Sequence, residues 1–75
     1  MVQMADVKLS VRRSCGGWQV LRDGREAGQF DFRVDAVEGA LRQARTELRR
    51  GRSVVVDAEN APGRIAKVAV EPPAN

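Results

Sequence analysis

The sequence has no histidine, no tyrosine, a single cysteine (Cys15) and three aromatic residues, Trp18, Phe30 and Phe32. Each shortage removes a class of chemistry. Without imidazole there is no histidine general base, no Ser-His-Asp or Cys-His arrangement and no histidine-containing zinc site. One cysteine cannot form an internal disulfide or a CxxC pair. No run reaches the ~20 apolar residues of a membrane-spanning helix. The first ten residues, MVQMADVKLS, lack the basic start and unbroken apolar stretch of a secretory signal. These absences point to a cytoplasmic protein that is not an enzyme and that holds no cofactor or metal.

What the chain does contain is enough for one small domain. Its 75 residues allow one core and not two. Below roughly 80 residues, apolar burial and ordering entropy nearly cancel, so good packing or self-association must supply the balance. The sequence carries 13 basic and 10 acidic residues, a formal net charge of +3. Only Lys8 and Lys67 are lysines; the other basic residues are arginines, which suit bidentate pairing with carboxylate or phosphate. A GC-rich coding bias gives the same preference for arginine without any functional meaning.

The apolar period changes along the chain. From Asp6 to Arg13, Val7, Leu9 and Val11 alternate with Lys8, Ser10 and Arg12, the period of a half-buried strand. Ser14 to Gly17 reads as a turn, and Trp18 to Arg22 as a second strand. Asp23-Gly24 is a strong hairpin signal, because a type I′ turn needs positive φ at both central residues. A third strand is expected to run to about Phe32, with Phe30 and Phe32 on one face.

From Val34 to Gly51 the period becomes helical, with Ala36, Val37, Ala40, Leu41, Ala44 and Leu48 on one stripe. Asp35 is the expected N-cap, with Glu38 three residues on. Gly51 follows Arg49 and Arg50 as the expected C-terminal stop. Val54-Val55-Val56 predicts a central strand covered on both faces. Ala58 to Gly63 predicts a turn, and Arg64 to Val70 a last strand, ended by Pro72-Pro73. The tail from Glu71 to Asn75 is expected to be mobile. The order is β-β-β-α-β-β, a single α+β domain in which hairpins form one sheet and one helix packs on one of its faces.

Several of these residues carry a family resemblance. Gly17-Trp18-Gln19-Val20, Asp35-Ala36-Val37, Ala40, Ala44-Arg45, Val54-Val55-Val56 and Gly63-Arg64-Ile65 resemble the bacterial family named domain of unknown function 2188. The likeness runs from Val7 to Ile65. It implies a small α+β architecture and brings no established activity. The chain departs from the family pattern after the fourth strand, where Asp57 or Ala58 replaces an expected histidine, and in a longer turn before Ile65.

Two surfaces are candidates for function. From Leu41 to Arg52, five arginines face one acid, Glu47, which makes this segment +4 and leaves the rest of the chain at −1. Arg42, Arg45 and Arg49, with Arg52 beyond the helix, form a stripe that could contact an anion or nucleic-acid phosphates without reading bases. A solvated helix face, aided by Glu38–Arg42 pairing at i, i+4, is the plainer alternative. The second surface is the side of the sheet away from the helix. One helix cannot cover five strands on both faces, and Leu21, Val55 and Ala69 fall on the uncovered side. They are candidates for self-association, with a homodimer the expected state. Lys8 and Lys67 could instead guard sheet edges against pairing. Trp18, Phe30 and Phe32 are expected in the core beneath the helix. Cys15 reads as an incidental turn residue, and Asp57 and Glu59 lack the spacing of a calcium loop.

Overall fold

The computed structural model of the chain describes residues 5–70. In chain order the elements are β1 (Val7–Ser14), β2 (Gly17–Arg22), β3 (Arg25–Phe30), α1 (Arg33–Arg49), β4 (Val54–Ala61) and β5 (Arg64–Val68). This is the β-β-β-α-β-β, α+β arrangement read from the sequence. The five strands make one sheet in the order β3-β2-β1-β4-β5. Three neighbouring pairs are antiparallel hairpins, while β1 and β4 pair in parallel. The sheet is therefore mixed. Strands β3 and β4 run the same way, so the chain must cross over between them. The 17 residues of α1 make that crossing on one face.

Turn chemistry sets the register. Asp23 and Gly24 have φ of 51° and 86°, as a type I′ hairpin requires. Asp23 also accepts the Lys8 backbone N–H on its carboxylate at 3.0 Å and donates its own N–H to the Lys8 carbonyl at 2.8 Å. At the start of the parallel pair, Asp6 and Ser53 exchange backbone-to-side-chain hydrogen bonds at 3.0 Å in both directions. At the far end, Glu59 accepts the backbone N–H of Arg13 at 3.1 Å and that of Gly63 at 3.4 Å. These N–H groups bind the charged carboxylate, Arg13's the most strongly, and hold Glu59 below the ordinary glutamate pKa.

The core lies between α1 and the sheet. Val7, Leu9, Val11, Val20, Val56 and Ala58 rise from β1, β2 and β4 to meet Ala36, Ala40 and Ala44. Small alanines let the helix approach the sheet closely, which is how so few large side chains close a core. Leu41 and Leu48 are only half-buried on the flank of the helix. The helix touches β1, β2, β3 and β4 but not β5, which extends past its cover.

Several expectations need correction. The third strand ends at Phe30, and Phe32 is the N-cap of α1, exposed to 66%, instead of a core residue. It makes no side-chain cap hydrogen bond, and the helix begins at Arg33, three residues before the Ala36 that an Asp35 N-cap would give. Asp35 stands in the first turn, where its charge faces the positive end of the helix, so the Asp35/Glu38 capping box does not form. Strand β4 is an inner strand, between β1 and β5, but Val55 is 38% exposed, so the valine run is covered on one side only. Strand β4 also continues to Ala61, because Ala58 packs in the core and Glu59 is tied at both oxygens; the turn is confined to Pro62 and Gly63. The last strand stops at Val68. Lys8 lies on the central strand and guards no edge, whereas Lys67 does lie on one. The tail expected to be mobile lies outside the described residues.

Gly39, a helix breaker in the middle of α1, has a packing reason. A Cβ placed there would meet Phe30 Cζ at 2.6 Å and two further ring carbons at 3.3 and 3.4 Å. Phe30 thus sits on bare helix backbone. Alanine gains about 1 kcal/mol of helix propensity over glycine. Gly39→Ala is nonetheless expected to destabilise the domain in urea unfolding, because the ring must leave its seat. A Phe30→Leu background should reverse the sign of the effect.

Candidate functional site

The helix-free face of the sheet follows from the strand registers. Lys8, Ser10 and Arg12 of β1 point to it; Asp23, Leu21 and Gln19 stand opposite them on one side, and Val55 and Asp57 stand opposite Lys8 and Ser10 on the other. Ile65 and Lys67 continue the rows on β5. Arg12 donates to Asp57 at 2.8 Å across the strands, and the pair leaves about a fifth of each side chain exposed. Ser10 is buried among these neighbours. Asp57 and Glu59 are thus spent on Arg12 and on backbone N–H groups, and no metal-holding cluster of acids, cysteine or histidine occurs among the described residues.

Two of the three residues singled out for self-association come together here. Leu21 and Val55 line one shallow depression from either side of β1, with Lys8 and Ser10 of that strand between them and Arg12 and Asp23 also in its lining. Ala69 is exposed just past the end of β5 and lines no part of it. Val55 and Ile65, at 38% and 53% exposure, are the large apolar residues that this face leaves most open.

The arginine stripe is shorter than its sequence suggests. Arg52 donates to Glu47 at 2.8 Å, Arg22 reaches the other oxygen of the same carboxylate at 2.8 Å, and Arg50 lies 3.8 Å from it. Arg45 is half-buried, which leaves Arg42 and Arg49 exposed on the helix. Glu38 and Arg42 form no ion pair, although the spacing allows one.

Glu47 is the residue that sequence reasoning missed. Its side chain is only 5% exposed, on the core side of the helix one turn beyond Ala44. The hydrogen bond from Arg22 is the largest influence on it, followed by burial in the opposite sense and by Arg52; the balance holds its carboxyl below the ordinary range. Arg22 is raised by the same hydrogen bond. One signal was available: Glu47 shares the core-facing side of the helix with Ala36, Ala40 and Ala44, a side that otherwise carries only small apolar residues.

A second concavity, about 570 Å³, opens on the helix side, between the β1–β2 turn and the first half of α1. Trp18, Phe30 and Phe32 line it with Asp31, Asp35 and Glu38, and Arg42 stands at its side. Cys15 is exposed in the adjoining turn. The aromatic residues expected in the core are therefore at its margin: Trp18 and Phe30 are half-buried and Phe32 is outside.

Among the described residues, no helix is long and apolar enough to cross a membrane. Compared with protein-family models, curated proteins and solved structures, the chain gives no match in any of the three.

Proposed function

We propose that this chain acts by protein association, as a homodimer formed through the helix-free face of its sheet. The observation that carries the reading is that Leu21 and Val55 line one depression across β1, together with Lys8, Ser10, Arg12 and Asp23. Apolar side chains left partly open among polar and charged ones suit an association surface. A lining with both signs of charge can be self-complementary: a two-fold axis can set Lys8 of one copy against Asp23 of the other. A domain of 75 residues with one helix also gains more from covering its second face than a larger one would. The resemblance to the domain of unknown function 2188 brings no activity, so the reading rests on this surface.

The competing reading, an accessory nucleic-acid binder using Arg42, Arg45, Arg49 and Arg52, has less behind it, since Glu47 already engages Arg52. The test separates the two. Leu21→Arg and Val55→Arg, together, add cations where Lys8 and Arg12 already stand. Sedimentation is expected to show this variant as a monomer at concentrations where the natural chain is dimeric, a loss of at least about a hundredfold in dimer affinity. An unchanged dimer would remove this face from the interface. If the natural chain is a monomer and DNA binds with a salt slope that Arg42→Gln/Arg49→Gln reduces, the second reading replaces the first.

A further inference from the structure

We infer that the cleft beside the start of α1 receives a guanidinium or ammonium group at the end of a partner protein's arginine or lysine side chain. It lies on the opposite side of the sheet from the proposed dimer face, and the inference is independent of that face.

The whole aromatic content of the chain is gathered here. Trp18 and Phe30 are cross-strand partners on the helix side of β2 and β3. Phe30 is seated against Gly39 and Gly28; a Cβ at Gly28 would stand 3.1 Å from the ring. It forms a fixed floor. Phe32 forms the rim with 66% of its surface exposed, and its neighbour along the helix start, Val34, is 65% exposed. Ring faces carry negative potential and attract cations, guanidinium most often. One ring already does so within the chain: the Arg13 guanidinium carbon stands 4.8 Å from the centre of the Trp18 ring.

The charges at the cleft have the opposite sign to the chain as a whole. The chain is +3, yet the lining holds Asp31, Asp35 and Glu38 against Arg42. These carboxylates are also uncommitted. Asp6, Asp23, Glu47, Asp57 and Glu59 each accept hydrogen bonds or ion-pair with an arginine. Asp31, Asp35 and Glu38 engage no other described residue in either way. An arginine or lysine end fits both parts: its flat or apolar stem lies on the rings and its charge meets the carboxylates. The cleft is open, with Trp18 and Phe30 half-buried and Phe32 exposed, so it cannot enclose a small molecule on most sides as a ligand pocket does. It can take the end of a side chain presented by a larger surface.

Trp18 is the only tryptophan, so its emission reads the cleft directly. The probes are acetyl-Gly-Arg-Gly-amide, its lysine counterpart, and a citrulline counterpart that keeps the shape of arginine without its charge. Titration with the arginine peptide is expected to give a saturable change in emission, and the citrulline peptide should bind at least about tenfold more weakly. Asp35→Asn/Glu38→Gln, both on the exposed surface of α1, should raise the half-saturation concentration about tenfold while far-UV circular dichroism stays unchanged. Phe32→Ala, equally exposed, should weaken binding without unfolding the domain. No saturable response up to the solubility of the arginine peptide would overturn the inference. So would equal binding of the citrulline peptide, or undiminished binding by the Asp35→Asn/Glu38→Gln variant.

Discussion

Leu9→Ala is expected to remove about 2–5 kcal/mol of folding stability, the range for truncating a fully buried leucine. Leu9 is wholly enclosed on the central strand, where it faces α1. Its neighbours cannot close the gap, because β1 is held on both sides, by β2 in antiparallel and by β4 in parallel register. A domain of this length has roughly 4–11 kcal/mol in total, at 0.05–0.15 kcal/mol per residue. One truncation therefore takes between a fifth of the stability and all of it. Ile65→Ala is the matching control. Ile65 is 53% exposed on an edge strand that the helix does not reach, so its loss should cost under about 1 kcal/mol. Urea unfolding of both variants at one protein concentration makes the comparison. A smaller effect at Leu9 than at Ile65 would mean that the core has been placed on the wrong face of the sheet.

The second large effect lies at Glu47. Its carboxyl is held below the ordinary glutamate value of 4.5, chiefly by the Arg22 hydrogen bond. A carboxylate lowered in the folded state contributes stability that is present above the unfolded-state pKa and is lost as pH falls through the folded-state pKa. The natural chain should therefore lose stability as pH drops below about 4.5. Glu47→Gln removes the charge that Arg22, Arg50 and Arg52 surround and leaves three cations crowded at the end of the helix. The melting temperature at neutral pH should fall further than for any exposed acid changed the same way, and the gap to the natural chain should narrow as pH falls. Glu59, also lowered, keeps part of the acid limb in the variant. A gap independent of pH would show that Glu47 acts by packing and not through its charge.

The local signals in the sequence were legible where backbone chemistry decides the outcome. Asp23-Gly24 gave a hairpin because few residue pairs accept two positive φ values, and Gly51, at φ 82°, stopped the helix for the same reason. What was not legible depends on which elements meet. Val54-Val55-Val56 does lie inside the sheet, but only the fold shows that α1 covers one of its faces and leaves Val55 38% exposed on the other. Phe32 alternates correctly with Phe30, yet the chain turns into the helix between them. Arg52 belongs by composition to the basic stripe, and only the fold brings it to Glu47. Of the association residues, Leu21 and Val55 could be set on one face by alternation alone; that they flank β1 two residues apart, at Ser10 and Lys8, required the registers of both its partners.

The homodimer can be tested without any substitution. Sedimentation equilibrium of the natural chain across micromolar concentrations should give a mass that rises towards twice the 8.2 kDa of one chain. A mass that stays at that of a single chain throughout would contradict the account.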